Sequence, residues 1–325
     1  MLAVQEVGTE LLTGEYLSQW LRHCRGRLRP KTHEGYQGLI RLYASPALGG
    51  VPLSRLHPLH LQECYATLLE RGLAGGTVRN LHLVLAQALS QAVRWGLIER
   101  SPACGAQPPR ARRPEPVVVD PALAARILDA VAGTPMELPA VLALGTGMRR
   151  GEILALRWAD LDEGYTTAQV RRSLQVSGEG LQFVEPKTRR SRRAVALPAF
   201  LGPHLHRQSQ DQALRRAEGS AWVDLDLVVD GGDGGPLHPD TLSSRWRKFL
   251  AKVDLPHVRF HDLRHAHATL MLLQGVHPKV VSERLGHASV GITLDTYSHV
   301  LPTMQAEAVR AFDALFPGPQ AHTVA

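Results

Sequence analysis

Over residues 13–100, apolar side chains recur every three or four positions, and no run alternates in the two-residue beat of a strand. Four helices are expected. Thr13 is placed to cap the first, which carries Tyr16, Leu17, Trp20 and Leu21 at helical spacing. Pro30 and Thr32 open a second with Tyr36, Leu39, Ile40 and Tyr43. Pro58 starts a third with Leu61, Tyr65, Leu68 and Leu69. Thr77 precedes a fourth with Val78, Leu81, Val84, Leu85, Ala88 and Leu89. Residues 1–12 show no pattern and are expected to be a tail, so residues 13–107 form a small helical domain.

The pattern then breaks. SPACGAQPPRARRPEP, 101–116, is rich in Pro and Arg, and repeated Pro favours extended backbone. Residues 108–118 are read as an interdomain linker, and residues 119–325 as a second domain. Asp120-Pro121 has the form of an N-cap followed by Pro at the first helical position. Two helices follow to about Leu156. VRRSLQV, LQFVEP and RRAVALP then read as three short strands separated by turns. After Pro198 the chain is mostly helical to about Phe316, with one possible short strand, LDLVVD, ending in DGGDGG. That glycine loop lacks the Lys-Ser/Thr of a phosphate-binding P-loop and reads as a surface turn. The fold class expected is mainly α with a small antiparallel sheet.

Composition narrows the partners. The 325 residues fit two domains, and 44% hydrophobic content is ample for buried cores. A net charge of +7 suits a polyanionic partner without identifying one. Only five of the 37 basic residues are Lys (Lys31, Lys187, Lys248, Lys252 and Lys279), and Arg grips phosphate through a fork. Genomic bias explains that excess equally well. Cys24, Cys64 and Cys104 are too few and too scattered for a disulfide framework or a zinc site, which fits a reducing cytoplasm. No apolar run approaches a membrane span or a signal peptide.

The chemistry is concentrated in four strings: TGMRRGE, EPKTRRSRR, HDLRHAHAT and LGHASVGITLDTYSH. They hold Arg149, Lys187, His261, Arg264, His287 and Tyr297. Attack on a phosphodiester builds charge on the non-bridging oxygens. Paired guanidiniums such as Arg149 and Arg264 can stabilise that charge where many enzymes use a metal. A phenol such as Tyr297 has a pKa near 10 in water, and a cationic cage favours its phenolate. Lys187, between two expected strands among other cations, could protonate a leaving oxygen. His261 and His287 could move protons or bind phosphate. A zinc reading of His261, His265 and His267 stands beside this one, weakened by the absence of an HExxH glutamate and of a companion Cys.

These strings, in this order, resemble those of the tyrosine recombinases, the phage-integrase family, over about Thr13 to Pro302. The resemblance implies a helical core-binding domain and a catalytic domain that clamp opposite faces of DNA. It implies that Tyr297 attacks, leaving a 3′-phosphotyrosine and a free 5′-hydroxyl, with Arg149 and Arg264 stabilising the transition state. Lys187 would be the acid for the leaving group, and His261 and His287 would assist. Neither metal nor ATP is required. The partners implied are double-stranded DNA sites, a tetramer of this chain on two duplexes, and accessory DNA-bending or excision factors. Lys31, Arg79, Arg110, Arg112, Arg113, Arg189 and Arg192 are further expected DNA contacts.

EYLSQWL, PALGGVPLSRL and LSQAVRWGLIERSP look most like integrases of phages and mobile elements. Many of those carry an arm-binding domain ahead of the core-binding one, whereas about a dozen residues precede it here. A simple recombinase or a truncated integrase is therefore expected. Two other readings remain: a type IB topoisomerase-like relaxing enzyme, and a DNA-binding protein without catalysis. The core-binding domain argues against the first and the six filled positions against the second.

Overall fold

The computed structural model describes residues 10–110, 117, 119–185, 192–218, 221–297, 309–310 and 312–313. Its contacts divide the chain into two units, 1–115 and 116–325. In the first unit, α1 (Thr13–Cys24) and α2 (Pro30–Leu39) are followed by one wide π turn (Ile40–Ala44), the short α3 (Ser45–Leu48), α4 (Pro58–Glu70) and α5 (Gly75–Arg94). The π turn has a cause. Pro46 has no N–H for the carbonyl of Leu42 and crowds it, and Ser45 N–H reaches back to Ile40 instead.

This core is aromatic and leucine-rich. Trp20 stacks on Tyr36, with ring centroids 5.9 Å apart. The buried Tyr16 hydroxyl donates to the carbonyl of Ala88, joining α1 to α5. Truncating Trp20 to Ala would cost about 3–5 kcal/mol, the usual range for a buried aromatic. Thr13 does not cap α1: its hydroxyl donates to the carbonyl of Val51 at 2.7 Å, and Leu12 occupies the cap position. Leu11 also accepts from Leu53 N–H at 2.9 Å, so residues 11 and 12 are tied to the 51–53 segment.

In the second unit, Asp120 caps α6 (Pro121–Val131) by accepting from Leu123 N–H at 2.7 Å. Next comes α7 (Glu137–Thr146), buried at every position. ELPAVLALGT has no polar face, and a helix apolar all round belongs at a core's centre. α7 packs against α6, α8 (Arg150–Ile153), α9 (Leu201–Ala217) and α11 (Asp262–Leu273). Also among the described residues are the helices α10 (Pro239–Lys252), α12 (Pro278–Leu285) and α13 (Val290–Tyr297).

Among the described residues, four strands lie between α8 and α9, where three were expected. β1 (Thr167–Val170) pairs antiparallel with β4 (Arg193–Ala196), and β2 (Ser173–Ser177) with β3 (Gly180–Val184). VRRSLQV is cut at Arg171-Arg172, so that Val170 closes β1 and Ser173 opens β2. Both arginines turn to the buried Asp160, at 3.7 and 2.8 Å, and leave the ladder. LDLVVD is not a strand. Asp226, at φ +59°, breaks its extension, and the segment makes only isolated bridges, Arg157 to Leu227 and Asp230 to Pro236.

Candidate active site

The site is built from the ends of buried helices. α7 stops where Gly147 turns left-handed, at φ +67°. A Cβ there would lie 2.6 Å from the His267 ring and 2.7 Å from Leu285, so conformation and space both demand glycine. The turn buries Met148 and sets Arg149 at the entry to α8, with its side chain 40% exposed. One turn into α8, the buried Glu152 holds it. Arg149 donates to Glu152 from its guanidinium and from its backbone N–H, both at 2.8 Å.

The last carbonyls of α7 have no partner within the helix. Three side chains take carbonyls of this terminus. Arg264 donates to Gly147 at 2.6 Å, Arg284 to Gly145 at 2.9 Å, and His267 Nδ1 bonds to Leu144 at 2.7 Å. Arg264 also donates to the carbonyl of Leu285 at 2.8 Å, tying the end of α7 to the end of α12. α12 closes in a Schellman turn: Gly286 donates to Glu283 and His287 donates to Ser282, at 2.9 and 3.0 Å. That turn presents His287, whose Nδ1 lies 2.8 Å from the hydroxyl of the buried Thr293 on α13. His261 stands at the head of α11, and its ring meets His265 edge-on at 5.1 Å.

Positive charge dominates here. Desolvation, then Arg264 and Arg149, push His287 down to about 4. His261 is also pushed down to about 4, by desolvation, His265, Arg264 and Arg149, against the opposing pull of Asp262. Both imidazoles are thus neutral at pH 7 before an anion arrives, and a neutral imidazole can accept a proton. Burial alone would raise the Glu152 carboxyl, but hydrogen bonds and charge from Arg193, then Arg149, hold it below the ordinary carboxylate value.

Four of the six sequence-derived residues come together: Arg149, His261, Arg264 and His287. Tyr297 closes α13, and its side chain lies outside the described residues, as do Lys187, Arg189, Arg112 and Arg113. Lys31, Arg79 and Arg110 are exposed, and Arg192 is exposed and paired with Glu185. The zinc reading fails on His267. Its Nδ1 is taken by Leu144, and its Nε2 accepts from Arg284 Nε at 2.9 Å, so neither nitrogen is available to a metal. Sequence reasoning missed Glu152, Arg193, Arg284 and Thr293. The first two end the strings TGMRRGE and EPKTRRSRR and could have been suspected from them. Nothing in the pattern marks Arg284.

With the geometry in hand, the phage integrase family model matches residues 120–304 and the phage integrase N-terminal SAM-like domain matches residues 14–69. The chain therefore belongs to the phage integrase family, the tyrosine recombinases that break and rejoin DNA. It is 29% identical to a XerC-like tyrosine recombinase of Caldanaerobacter subterraneus subsp. tengcongensis, over 94% of this chain and 84% of that one. It is 25% identical to the ICEBs1 integrase of Bacillus subtilis, over 92% and 82%. In fold it resembles the Tn1549 transposon integrase solved with a circular intermediate DNA, with a TM-score of 0.80 and 21% identity over 93% of this chain and 99% of that one. A lambda integrase tetramer bound to a Holliday junction aligns with a TM-score of 0.66 and 15% identity, over 89% and 78%.

Proposed function

We propose that this chain cleaves and rejoins double-stranded DNA sites for the integration or excision of a mobile element, with Tyr297 as nucleophile. Arg149 and Arg264 bind the non-bridging oxygens of the scissile phosphate. Arg264 is buried and fixed by two carbonyls, so its position needs no reorganisation when charge develops. The Tyr297 oxygen forms a bond to phosphorus as the bond to the 5′-oxygen breaks. Lys187 supplies that oxygen with its proton, and a neutral His261 or His287 takes the phenol's. The ester is retained as a 3′-phosphotyrosine, and attack by a 5′-hydroxyl reverses the step, so neither ATP nor metal is consumed.

The observation that carries this reading is the convergence of two guanidiniums and two depressed imidazoles on the helix termini that carry the family's strings. Strand exchange between duplexes needs four such sites, so a tetramer of this chain on two DNA sites is part of the proposal. The lambda integrase tetramer on a Holliday junction is its precedent. Accessory DNA-bending or excision factors and a cytoplasmic location go with it. Among the described residues, no helix is long and apolar enough to cross a membrane. A site nicked so that the cleaved fragment diffuses away should trap a covalent protein–DNA adduct. Tight DNA binding without any adduct would instead favour a non-catalytic DNA-binding protein, and relaxation of supercoils by the monomer a topoisomerase.

A further inference from the structure

The Arg193 side chain is only 7% exposed, and it touches three separate parts of the site. Its two terminal nitrogens straddle the Glu152 carboxylate, at 3.2 and 2.9 Å. Its Nε donates to the carbonyl of Arg284 at 2.6 Å, at the end of α12. A Cβ on Gly286 would come within 3.0 Å of it, next to His287. Arg193 opens β4, directly after the segment that carries Lys187.

The sharing of Glu152 is uneven. Arg193 holds both carboxylate oxygens in a fork, whereas the Arg149 guanidinium holds one oxygen through one nitrogen. The other terminal nitrogen of Arg149 lies 3.3 Å from the Gly286 carbonyl. A bidentate Arg–carboxylate pair is the stronger geometry, and only one guanidinium can hold it at a time.

We infer that Arg193 is a positioning residue of the cleavage reaction: by occupying Glu152 with its fork, it limits the Arg149 guanidinium to one bond with that carboxylate, beside its bond to the Gly286 carbonyl, and keeps it turned toward the phosphate. This rests on the proposal that Arg149 binds the scissile phosphate. Without Arg193, Glu152 would take Arg149 into its own fork and compete with the DNA for it. Among the described residues, the groups facing Glu152 are Arg149 on the entry to α8 and Arg193 on β4, with Arg284 and His287 beside Arg193. With Arg193 gone, desolvation would act on the carboxyl with one cation fewer to oppose it. Glu152 would then become easier to protonate.

Single-turnover cleavage of a nicked site by the full chain tests this, with DNA affinity and melting temperature measured alongside. Arg193→Gln should slow cleavage by about 10- to 100-fold, below the range for losing an oxyanion donor outright, while DNA affinity changes by less than about threefold. The slow variant should regain rate on the acid side, because Glu152 releases Arg149 as it takes a proton. Adding Glu152→Gln should abolish that pH dependence and recover much of the rate at neutral pH, because a neutral amide cannot clamp Arg149. Arg193→Lys, which keeps the charge and loses the fork, should fall between the two. A wild-type rate in Arg193→Gln, or a double variant no faster than the single, overturns the inference. So does loss of folding in both Arg193→Gln and Arg193→Lys, which would make the residue a structural one. Absence of an adduct with the wild type would count against the recombinase reading itself.

Discussion

Acid should destabilise this protein through His267, and the size of the effect follows from two bonds. The ring donates from Nδ1 to the Leu144 carbonyl and accepts at Nε2 from Arg284. A second proton would have to sit on Nε2, against the Arg284 N–H already pointing there. Desolvation, with the charges of Arg284 and Arg264, outweighs the opposing Leu144 hydrogen bond and pushes this histidine from 6.5 to about 4. The folded value is depressed, so the unfolded chain binds more protons between pH 6.5 and pH 4, and stability is lost as pH falls through that window. The loss from His267 alone is about 1.4 kcal/mol at pH 5.5 and about 2.5 kcal/mol at pH 4.5. His267→Gln keeps an amide donor and a carbonyl acceptor but cannot be protonated. It should be less stable than wild type at pH 7.5 because its packing is imperfect, and that deficit should shrink by about 2.5 kcal/mol by pH 4.5. Urea unfolding of both proteins at pH 7.5, 5.5 and 4.5 gives the comparison. A difference that stays constant across the three pH values would refute the neutral, doubly bonded His267.

Lys187→Ala should slow cleavage by about 10²–10⁴, the usual cost of losing a general acid, with little change in DNA affinity. A 5′-sulfur leaving group, which needs no proton, should restore much of the rate; no restoration would move the acid role to a histidine. DNA binding should weaken steeply with salt, with a slope of about −0.9 per phosphate contact in log K against log salt, and a flat response would argue against the extended basic contacts proposed from Lys31 to Arg192. Truncation at Pro302 removes Met304, Val309, Phe312, Leu315 and Phe316, an apolar set that suits docking on a neighbouring subunit and packing on its own domain equally well. Single-site binding should survive and pairing of two sites should fail; unaltered recombination by the shortened chain would remove the docking role.

Much of this architecture was legible because the signals were local. The 3.6-residue spacing of Tyr16, Trp20, Leu81 and Leu85, and the prolines at the first turns of α2, α4 and α6, placed helices without tertiary information. What failed depended on distant partners. Thr13 looks like a cap until Val51 takes its hydroxyl. VRRSLQV reads as one strand until Asp160 draws its two arginines out of the ladder. His267 shares a string with His261 and looks like a third ligand until Leu144 and Arg284, far off in sequence, occupy both of its nitrogens. Arg149, His261, Arg264 and His287 stood out because they sit in short strings that fall at helix ends. The residues that hold them reach across elements; Arg193 ends the string EPKTRRSRR, whereas no spacing rule reveals Arg284.

Tyr297→Phe tests the central claim most directly. The change removes one oxygen and keeps the ring, so folding and DNA affinity should match the wild type. Both proteins are incubated in EDTA with a nicked site and run on denaturing gels, and the adduct is mapped by proteolysis. The account predicts a DNA adduct on Tyr297 of the wild type and none in the variant. An adduct that persists in Tyr297→Phe would assign the attack to another residue. Loss of wild-type cleavage in EDTA would contradict the metal-free chemistry assigned to Arg149 and Arg264.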